Sequence, residues 1–162
     1  MKPDREALKP YRLPTQVLIY CYRCYRRAAG SVEYLMLRRT PKYGGFWQGV
    51  TGAPEGQESL LEAATRELRE ETQLSAVNLH QVDFSYSFAV EDEWKWAYHP
   101  DVVRIDEFVF LAEVERDVVP ILSFEHDHFE WTGYENAMEI LKWPNNRHAL
   151  EFCNGLLQTP HI

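Results

Sequence analysis

The sequence from residue 52 to residue 74 decides the fold, and it reads GAPEGQESLLEAATRELREETQL. Its first part contains two glycines and a proline, a composition typical of a loop. Its second part consists largely of strong helix formers, and Ser59 with Glu62 has the spacing of a capping box. We therefore expect a loop that leads into a helix beginning near Glu58 or Ser59 and ending near Gln73.

Two acidic residues of this predicted helix, Glu67 and Glu71, border its apolar face, and Glu70 lies on the far side of Glu67. Helical residues turn by about 100° each, so with Glu67 at zero, Glu71 lies at about 40°, Glu70 at about −60° and the apolar stripe between about 60° and 120°. Carboxylates beside a core are unfavourable unless a positive charge compensates them, and Mg²⁺ prefers carboxylate oxygens. The alternative is a solvated amphipathic helix in which Arg66 pairs with Glu70 at i, i+4.

The spacing of these residues resembles the Nudix box. In that motif a glycine is followed by five residues, a glutamate, seven residues and then Arg-Glu-aliphatic-x-Glu-Glu-x-Gly-aliphatic, and residues 52–74 keep this spacing throughout. Gln73 is the one specified position that differs, because the family has glycine there. A glycine lets a helix end in a left-handed conformation, and a non-glycine residue in that conformation costs on the order of 1 kcal/mol. We therefore expect Gln73 to affect only the turn that leaves the helix.

The resemblance implies an α/β fold, a Nudix-type α/β/α sandwich with a mixed sheet between helices, in a single domain over residues 1–162. It implies Mg²⁺, with Mn²⁺ as a substitute, bound by Glu67, Glu70 and Glu71. By the same resemblance Arg66 holds a helix glutamate in place, and Gly52 lets the loop bend sharply over the site. Glu58 either braces the loop or contributes more distantly to the metal site.

Outside the box the chain resembles one Nudix subgroup, the bacterial dihydroneopterin triphosphate diphosphatases, also described as dATP pyrophosphohydrolases. The matching stretches are Tyr34–Arg39, Phe46–Gly52, Phe124–His126 with Trp131, and Asn146–Glu151.

By this resemblance Glu125 is a further metal-binding or water-activating carboxylate, and Arg39, Thr51 and Arg12 contact the substrate. An arginine fork can bind phosphate oxygens in two places. The alternatives are an exposed strand-end arginine at position 39 and a surface acid at position 125. His126 and His128, at i, i+2 on a predicted strand, are expected to be solvated or hydrogen-bonded rather than a metal pair.

The segment from residue 91 to residue 101 is aromatic and irregular. Trp94, Trp96 and Tyr98 alternate, so in an extended segment they would share one face. Such rings can stack on a purine or a pterin, which contributes about 1 to 3 kcal/mol per base in single-stranded nucleic acids. Ordinary core packing or a dimer contact is the alternative. We expect this segment, rather than the box, to select the substrate.

Further strands are predicted at about residues 16–25, 33–39, 46–51, 81–90, 102–114 and 128–132, and helices at about 135–141 and 146–157. Residues 1–10 are expected to be irregular, with a turn at 28–31. Cys21 and Cys24 form a C-x-x-C pattern, but residues three apart on a strand point to opposite faces, and a zinc site needs four ligands. A structural role for both cysteines is therefore favoured over a redox or zinc site.

The composition limits the classes of function. The chain has 162 residues and a formal net charge of −8, which argues against a nucleic-acid polymer as a partner because such binding usually needs a basic face. No segment has the length of a membrane span or a signal peptide, so a cytoplasmic protein without membrane contact is expected. A homodimer is left open.

We therefore expect a Mg²⁺-dependent hydrolase that converts a nucleoside or pterin triphosphate to a monophosphate and pyrophosphate. The first alternative uses the same chemistry on diadenosine polyphosphates, nucleotide sugars or oxidised nucleotides. The second is a non-catalytic Nudix domain that senses a nucleotide or mediates protein contacts. Such domains commonly lose box carboxylates, whereas Glu67, Glu70 and Glu71 are all present here.

Overall fold

The computed structural model describes residues 11–24 and 31–158. The predicted irregular lead and most of the predicted turn at 28–31 lie outside these residues. The strands are β1 (Thr15–Cys24), β2 (Val32–Arg39), β3 (Trp47–Gln48), β4 (Val50–Gly52), β5 (Asn78–Ala89), β6 (Arg104–Glu113) and β7 (His126–Thr132). The α-helices are α1 (Leu60–Thr72), α2 (Tyr134–Ile140) and α3 (Pro144–Gln158), and two 3₁₀ helices cover Pro41–Tyr43 and Asp92–Ala97.

Within the described residues the strands form one mixed sheet in the order β3-β2-β1-β6-β5, with β4 also paired to β1 and β7 to β2. The β1–β6 pair is parallel, and the other pairs are antiparallel. Alternate residues of β1 face opposite sides, so Val17, Ile19 and Cys21 pack in the core under α1, and Leu18 and Tyr20 pack under α2 and α3. This arrangement is the predicted mixed sheet between helices.

The helix α1 begins and ends as its sequence predicts. The Ser59 side chain accepts a hydrogen bond from the Glu62 backbone N–H, and Glu62 Oε1 accepts one from the Ser59 backbone N–H, so the capping box is formed. Gln73 follows the last turn with φ 59° and ψ 16°, the left-handed conformation that the family's glycine would occupy. Glu71, which borders the apolar stripe, is buried with Ala64 and Leu68.

Two predicted elements differ in the structure. The strand predicted at residues 46–51 is interrupted at Gly49, so that β3 pairs with β2 and β4 pairs with β1. The segment from Asp92 to Ala97, expected to be irregular, forms a 3₁₀ helix, so the face that Trp94, Trp96 and Tyr98 would share in an extended segment does not form. None of the described helices is long and apolar enough to cross a membrane.

Candidate active site

A cluster of carboxylates lies where α1 meets the chain just before β7. Glu67, Glu70 and Glu71 belong to α1, and Glu125 directly precedes β7. The backbone holds these segments together, because Thr40 N–H donates to the Glu125 carbonyl at 3.0 Å and Ser123 N–H donates to the Glu71 carbonyl at 3.3 Å. The predicted acidic residues are thus brought together from distant parts of the sequence.

Glu71 is the most enclosed of the four, with 3% of its surface exposed. Its Oε2 accepts a hydrogen bond from the Thr51 backbone N–H at 3.2 Å, whereas its Oε1 is buried without a hydrogen-bond partner. Burial raises the pKa of Glu71 well above its usual range, and the charges of Glu67 and Glu125 raise it further. A charged Glu71 is therefore strongly disfavoured in the protein alone.

Glu67 shares this environment. Burial raises its pKa to about 7, against the lowering effect of the Arg66 hydrogen bond and charge, while the charges of Glu70 and Glu125 add to the rise. Glu70 is more peripheral: its side chain is 56% exposed and paired with Arg66 at 3.0 Å. The i, i+4 pair of Arg66 and Glu70, which the alternative of a solvated amphipathic helix expects, is therefore present. It is one part of a larger network around Arg66.

These residues fit a divalent cation. Negative groups that raise one another's pKa, with a buried carboxylate oxygen that has no partner, form a site whose charge calls for a positive ion. Ligand atoms of Glu71, Glu125 and His126 lie within 4.8 Å of one another. Carboxylate oxygens suit the hard cations Mg²⁺ and Mn²⁺.

His126 was missed as a member of this cluster. The register of β7 against β2 shifts between Arg38 and Arg39, so the alternation expected for residues 126 and 128 does not hold. His126 is 4% exposed beside Glu71, whereas His128 is exposed, with its ring edge-on to Trp47. Burial is the first cause that lowers the pKa of His126 to about 4, followed by the charge of Arg39, so its ring is neutral at neutral pH.

Arg66 connects the loop of the box to the helix. Its guanidinium donates to both oxygens of Glu58 at 2.9 and 3.0 Å, to Glu67 at 2.8 Å and to the Ala53 carbonyl at 2.9 Å. Glu58 also accepts from the Glu55 backbone N–H at 2.8 Å, so it braces the loop.

Gly52 ends β4 directly over the helix. A Cβ built there would lie 2.1 Å from Cδ and 2.3 Å from Oε1 of Glu67. The expectation that Gly52 provides a sharp bend is wrong, because it is a strand residue paired with Val17 and it does not have a positive φ. A glycine is required there for space: only a residue without a side chain lets the strand approach the Glu67 carboxylate this closely.

Two of the residues predicted to contact the substrate lie near Glu71, and the third lies beside the 92–97 helix. Arg39 lies close enough for its charge to lower the pKa of Glu71, and its Nε donates to the Tyr43 carbonyl at 2.9 Å. Thr51 reaches Glu71 through its backbone N–H. Arg12 lies beside the 92–97 helix: its N–H donates to the Ala97 carbonyl at 2.9 Å and its guanidinium lies 5.8 Å from the Tyr98 ring centre.

The three aromatic residues of the 91–101 segment do not share one face. Tyr98 is 5% exposed and packs with Val90 and Ile105, so the expectation that it joins a stacking face is wrong. Trp96 is 75% exposed and Trp94 37% exposed, with ring centres 6.3 Å apart and planes 30° apart. Trp94 and Trp96 belong to the 3₁₀ helix, whereas Tyr98 follows it and anchors the segment through its buried side chain.

The C-x-x-C pattern forms no shared site. Cys21 is buried under α1, where burial raises the pKa of its thiol to about 12, and Cys24 is exposed at the end of β1. The structural role favoured from the sequence agrees with these positions.

Comparison with known proteins identifies the class. The NUDIX domain model matches residues 15–153. The chain is 36% identical to the dihydroneopterin triphosphate diphosphatase of Haemophilus influenzae over 157 residues, covering 93% of this chain and 95% of that protein. Its fold matches that of the E. coli dihydroneopterin triphosphate pyrophosphohydrolase with a TM-score of 0.70 and 28% identity, over 89% of this chain and 97% of that one. A C. elegans Ap4A hydrolase shares the fold, with a TM-score of 0.69 at 23% identity, over 88% of this chain and 96% of that one.

The chain therefore belongs to the NUDIX domain family. This confirms the predicted α/β class and the predicted enzyme class, a hydrolase that acts on phosphorus-containing anhydrides. Nudix hydrolases generally need a divalent metal, and the acidic cluster around Glu71 suits one.

Proposed function

We propose that this chain hydrolyses a phosphoanhydride of a nucleoside or pterin triphosphate, with dihydroneopterin triphosphate as the first candidate, to a monophosphate and pyrophosphate. The observation that carries the proposal is Oε1 of Glu71, a buried carboxylate oxygen without a hydrogen-bond partner and close to the charges of Glu67 and Glu125. A cation would stabilise the charged form of Glu71, which burial disfavours in the protein alone, and a polyphosphate is a substrate that brings cations with it. The substrate class is taken from the names of the Haemophilus influenzae and E. coli relatives.

Glu67, Glu71 and Glu125 would hold Mg²⁺, for which Mn²⁺ can substitute. Glu70 lies at the rim, where its side chain is 56% exposed and pairs with Arg66 through Oε2, and it would be the outermost of the ligands. When bound, such ions neutralise phosphate charge and make water more acidic. Arg66 fixes the Glu67 carboxylate, and the Thr51 N–H fixes Oε2 of Glu71, so the chain supplies orientation before substrate arrives.

The reaction transfers a phosphoryl-containing group to water. The water oxygen forms a bond to phosphorus, the bond from phosphorus to the bridging oxygen breaks, and pyrophosphate leaves. We assign the proton of the attacking water to a carboxylate of the cluster, with Glu125 as the candidate because it belongs to a different segment from the helix. Arg39, whose charge reaches Glu71, would bind phosphate oxygens.

Ring recognition is proposed for the exposed pair Trp94 and Trp96, together with Arg12, whose guanidinium lies over the Tyr98 ring of the same segment. Because Tyr98 is buried, we assign it the anchoring of this segment rather than stacking. Thr51 keeps its proposed place next to the substrate, since its backbone already contacts Glu71.

A substrate screen tests the proposal. Purified protein with Mg²⁺ is assayed with dihydroneopterin triphosphate, dATP, other nucleoside triphosphates, Ap4A and a nucleotide sugar, and the products are identified. We expect pyrophosphate and a monophosphate from a triphosphate. Cleavage restricted to Ap4A or the nucleotide sugar would replace this substrate class with the first alternative, and nucleotide binding without turnover would favour the sensing domain.

Charge-removing variants test the site. Glu67→Gln, Glu71→Gln and Glu125→Gln should each lower kcat severely and weaken Mn²⁺ binding measured by calorimetry, because each removes a negative ligand charge. Glu139→Gln, which changes an exposed acid on α2, is the matched control and should behave as wild type. Near-normal turnover in the three cluster variants would defeat the metal assignment.

Three further expectations are also proposals: a single domain over residues 1–162, a cytoplasmic location and a homodimer as one open state of assembly. Light scattering after size-exclusion chromatography measures the assembly directly. Limited proteolysis that leaves one protected fragment would support a single domain.

A further inference from the structure

Two buried side-chain atoms face each other in the carboxylate cluster, and neither has a hydrogen-bond partner. They are Nδ1 of His126 and Oε1 of Glu71, which lie 4.0 Å apart in side chains that are 0% and 4% exposed. Buried polar atoms are rarely left unpaired, because an unpaired one keeps the full cost of losing its water. A second contact of the histidine decides which of the two atoms can donate.

The other ring nitrogen of His126, Nε2, lies 3.4 Å from Nε2 of Gln48, which is itself 5% exposed. With the Gln48 amide oriented as in the structure, its nitrogen has only hydrogens to offer, which assigns the acceptor role in this contact to Nε2 of His126. In a neutral imidazole the proton is then on Nδ1. The Nδ1–H group is therefore the donor that lies nearest to the unpaired oxygen of Glu71.

We propose that Gln48 and His126 position Glu71 for cation binding, an inference that rests on the proposed function. Gln48 donates to His126, which fixes the tautomer, and Nδ1–H of His126 donates to Oε1 of Glu71 once the two groups approach by about 1 Å to hydrogen-bond distance. With the Thr51 N–H on Oε2, each oxygen of Glu71 has one donor and keeps a lone pair for a cation. Hydrogen bonds of this kind orient metal-binding carboxylates in proteins generally.

The same geometry makes His126 a positioning residue rather than a ligand. A ring nitrogen that carries a proton has no lone pair for a metal ion, and the lone pair of Nε2 is directed to Gln48. A His126 ring nitrogen lies close to ligand atoms of Glu71 and Glu125. Its role there is to support the Glu71 carboxylate rather than to bind the ion.

The tautomer is measured on the metal-free protein by ¹⁵N NMR of the histidine ring at neutral pH. We expect His126 to carry its proton on Nδ1, and Gln48→Glu to move the proton to Nε2, because a carboxylate accepts where the amide donated. A proton on Nε2 in the wild-type protein would overturn the proposal. Because this measurement needs neither metal nor turnover, its result is independent of whether the proposed hydrolysis is found.

Cation binding is measured with Mn²⁺ in the same variants. His126→Ala should weaken Mn²⁺ binding roughly 10- to 100-fold, and His126→Asn, which retains an N–H donor near the Nδ1 position, should recover part of that loss. Gln48→Leu, which keeps the ring, provides the same test if His126→Ala does not fold. The control is His80→Asn, an exposed histidine on β5, with unchanged binding expected.

Electron spin-echo spectroscopy of the Mn²⁺-loaded protein separates support from ligation. We expect no coupling to a directly bound ¹⁴N nucleus, since His126 contacts the ion only through Glu71. A bound-nitrogen signal that disappears in His126→Ala would make His126 a ligand and overturn the positioning role. Unchanged Mn²⁺ affinity in a folded His126→Ala protein would overturn it as well.

Discussion

The α-carbon of Gly52 lies so close to Glu67 that a methyl group on it would be 2.1 Å from Cδ of the carboxylate. Non-bonded carbon atoms are normally separated by about 3.5–4.0 Å. The strand β4 and the helix α1 therefore approach each other at Gly52, the strand residue that has no side chain. This contact makes the position of the Glu67 carboxylate depend on residue 52.

Gly52→Ala should displace the Glu67 carboxylate, because the backbone of β4 is fixed by its pairing with Val17. We expect a fall in kcat of about 10²-fold, the scale associated with a misplacement of about 1 Å in a catalytic site, with a much smaller change in KM. Steady-state kinetics with the substrate found in the screen measure both. Gly155→Ala is the matched control because a Cβ at residue 155 meets nothing within 4 Å. Wild-type turnover in Gly52→Ala would show that Glu67 is not needed where the structure has it.

Arg66→Lys should loosen the loop of the box. A lysine carries one point charge and does not reproduce the fork that binds both oxygens of Glu58 together with Glu67. The side chain of Arg66 is 20% exposed, so we expect a loss of roughly 1–3 kcal/mol in the free energy of unfolding measured with urea. The kcat should fall as well, because Glu67 loses its 2.8 Å partner.

The control for that variant is on the same helix. Arg69 is exposed, and its side chain makes a 3.4 Å contact with Ser75, so Arg69→Lys should change stability by less than about 0.5 kcal/mol. Equal losses in Arg66→Lys and Arg69→Lys would mean that the network around Arg66 adds no stability beyond a surface charge.

The sequence predicted the first turn of α1 and the position of its acidic residues better than it predicted how the neighbouring strands pack against the helix. Helical spacing was enough to put Glu71 beside the apolar stripe, and Ser59 with Glu62 was enough to locate the first turn, because both depend on residues within a few positions of each other. The close approach of Gly52 to Glu67 depends on the packing of β4 against α1, and no local pattern records that distance.

Two expectations failed for the same physical reason. One was that His126 and His128 share one face of a strand, and the other was that the aromatic residues of the 91–101 segment share a face. The pairing shift between Arg38 and Arg39 buries His126 and leaves His128 exposed, although simple alternation treats both alike. The 3₁₀ helix before Tyr98 likewise replaces the two-residue period of a strand with a three-residue period. Both are local irregularities of the backbone, and the periodicity of a sequence does not contain them.

Stability should respond to pH through Glu107, a residue of β6 that is 2% exposed. Burial raises its pKa above the usual value of 4.5, although Tyr86 and Gln16 donate hydrogen bonds to its carboxylate. A carboxyl whose pKa is higher in the folded state binds its proton more tightly there, so the free energy of unfolding falls as pH rises from about 4.5. Glu107→Gln should lose this contribution.

The measurement is the difference in unfolding free energy between wild type and Glu107→Gln at a series of pH values. We expect Glu107→Gln to become relatively more stable as pH rises above about 4.5, since contributions from the other carboxyl groups cancel in the difference. Asp106→Asn, which removes the charge of an exposed neighbour on β6, is the matched control. A Glu107→Gln difference that does not change with pH would contradict the raised pKa.

Gln73→Gly should stabilise the protein without changing its activity. Gln73 has φ 59°, a conformation that costs a residue with a Cβ about 1–2 kcal/mol, whereas glycine adopts it freely. Glycine also makes the unfolded chain more flexible, at a cost of about 0.4–1 kcal/mol, so a net gain of roughly 0.5–1 kcal/mol is expected in urea unfolding. Gln57→Gly changes an exposed residue without a positive φ and should lose stability for the same entropic reason. If both glycine variants lose stability equally, Gln73 gains more from its side chain than its backbone conformation costs, and the departure from the family's glycine is then a favourable one.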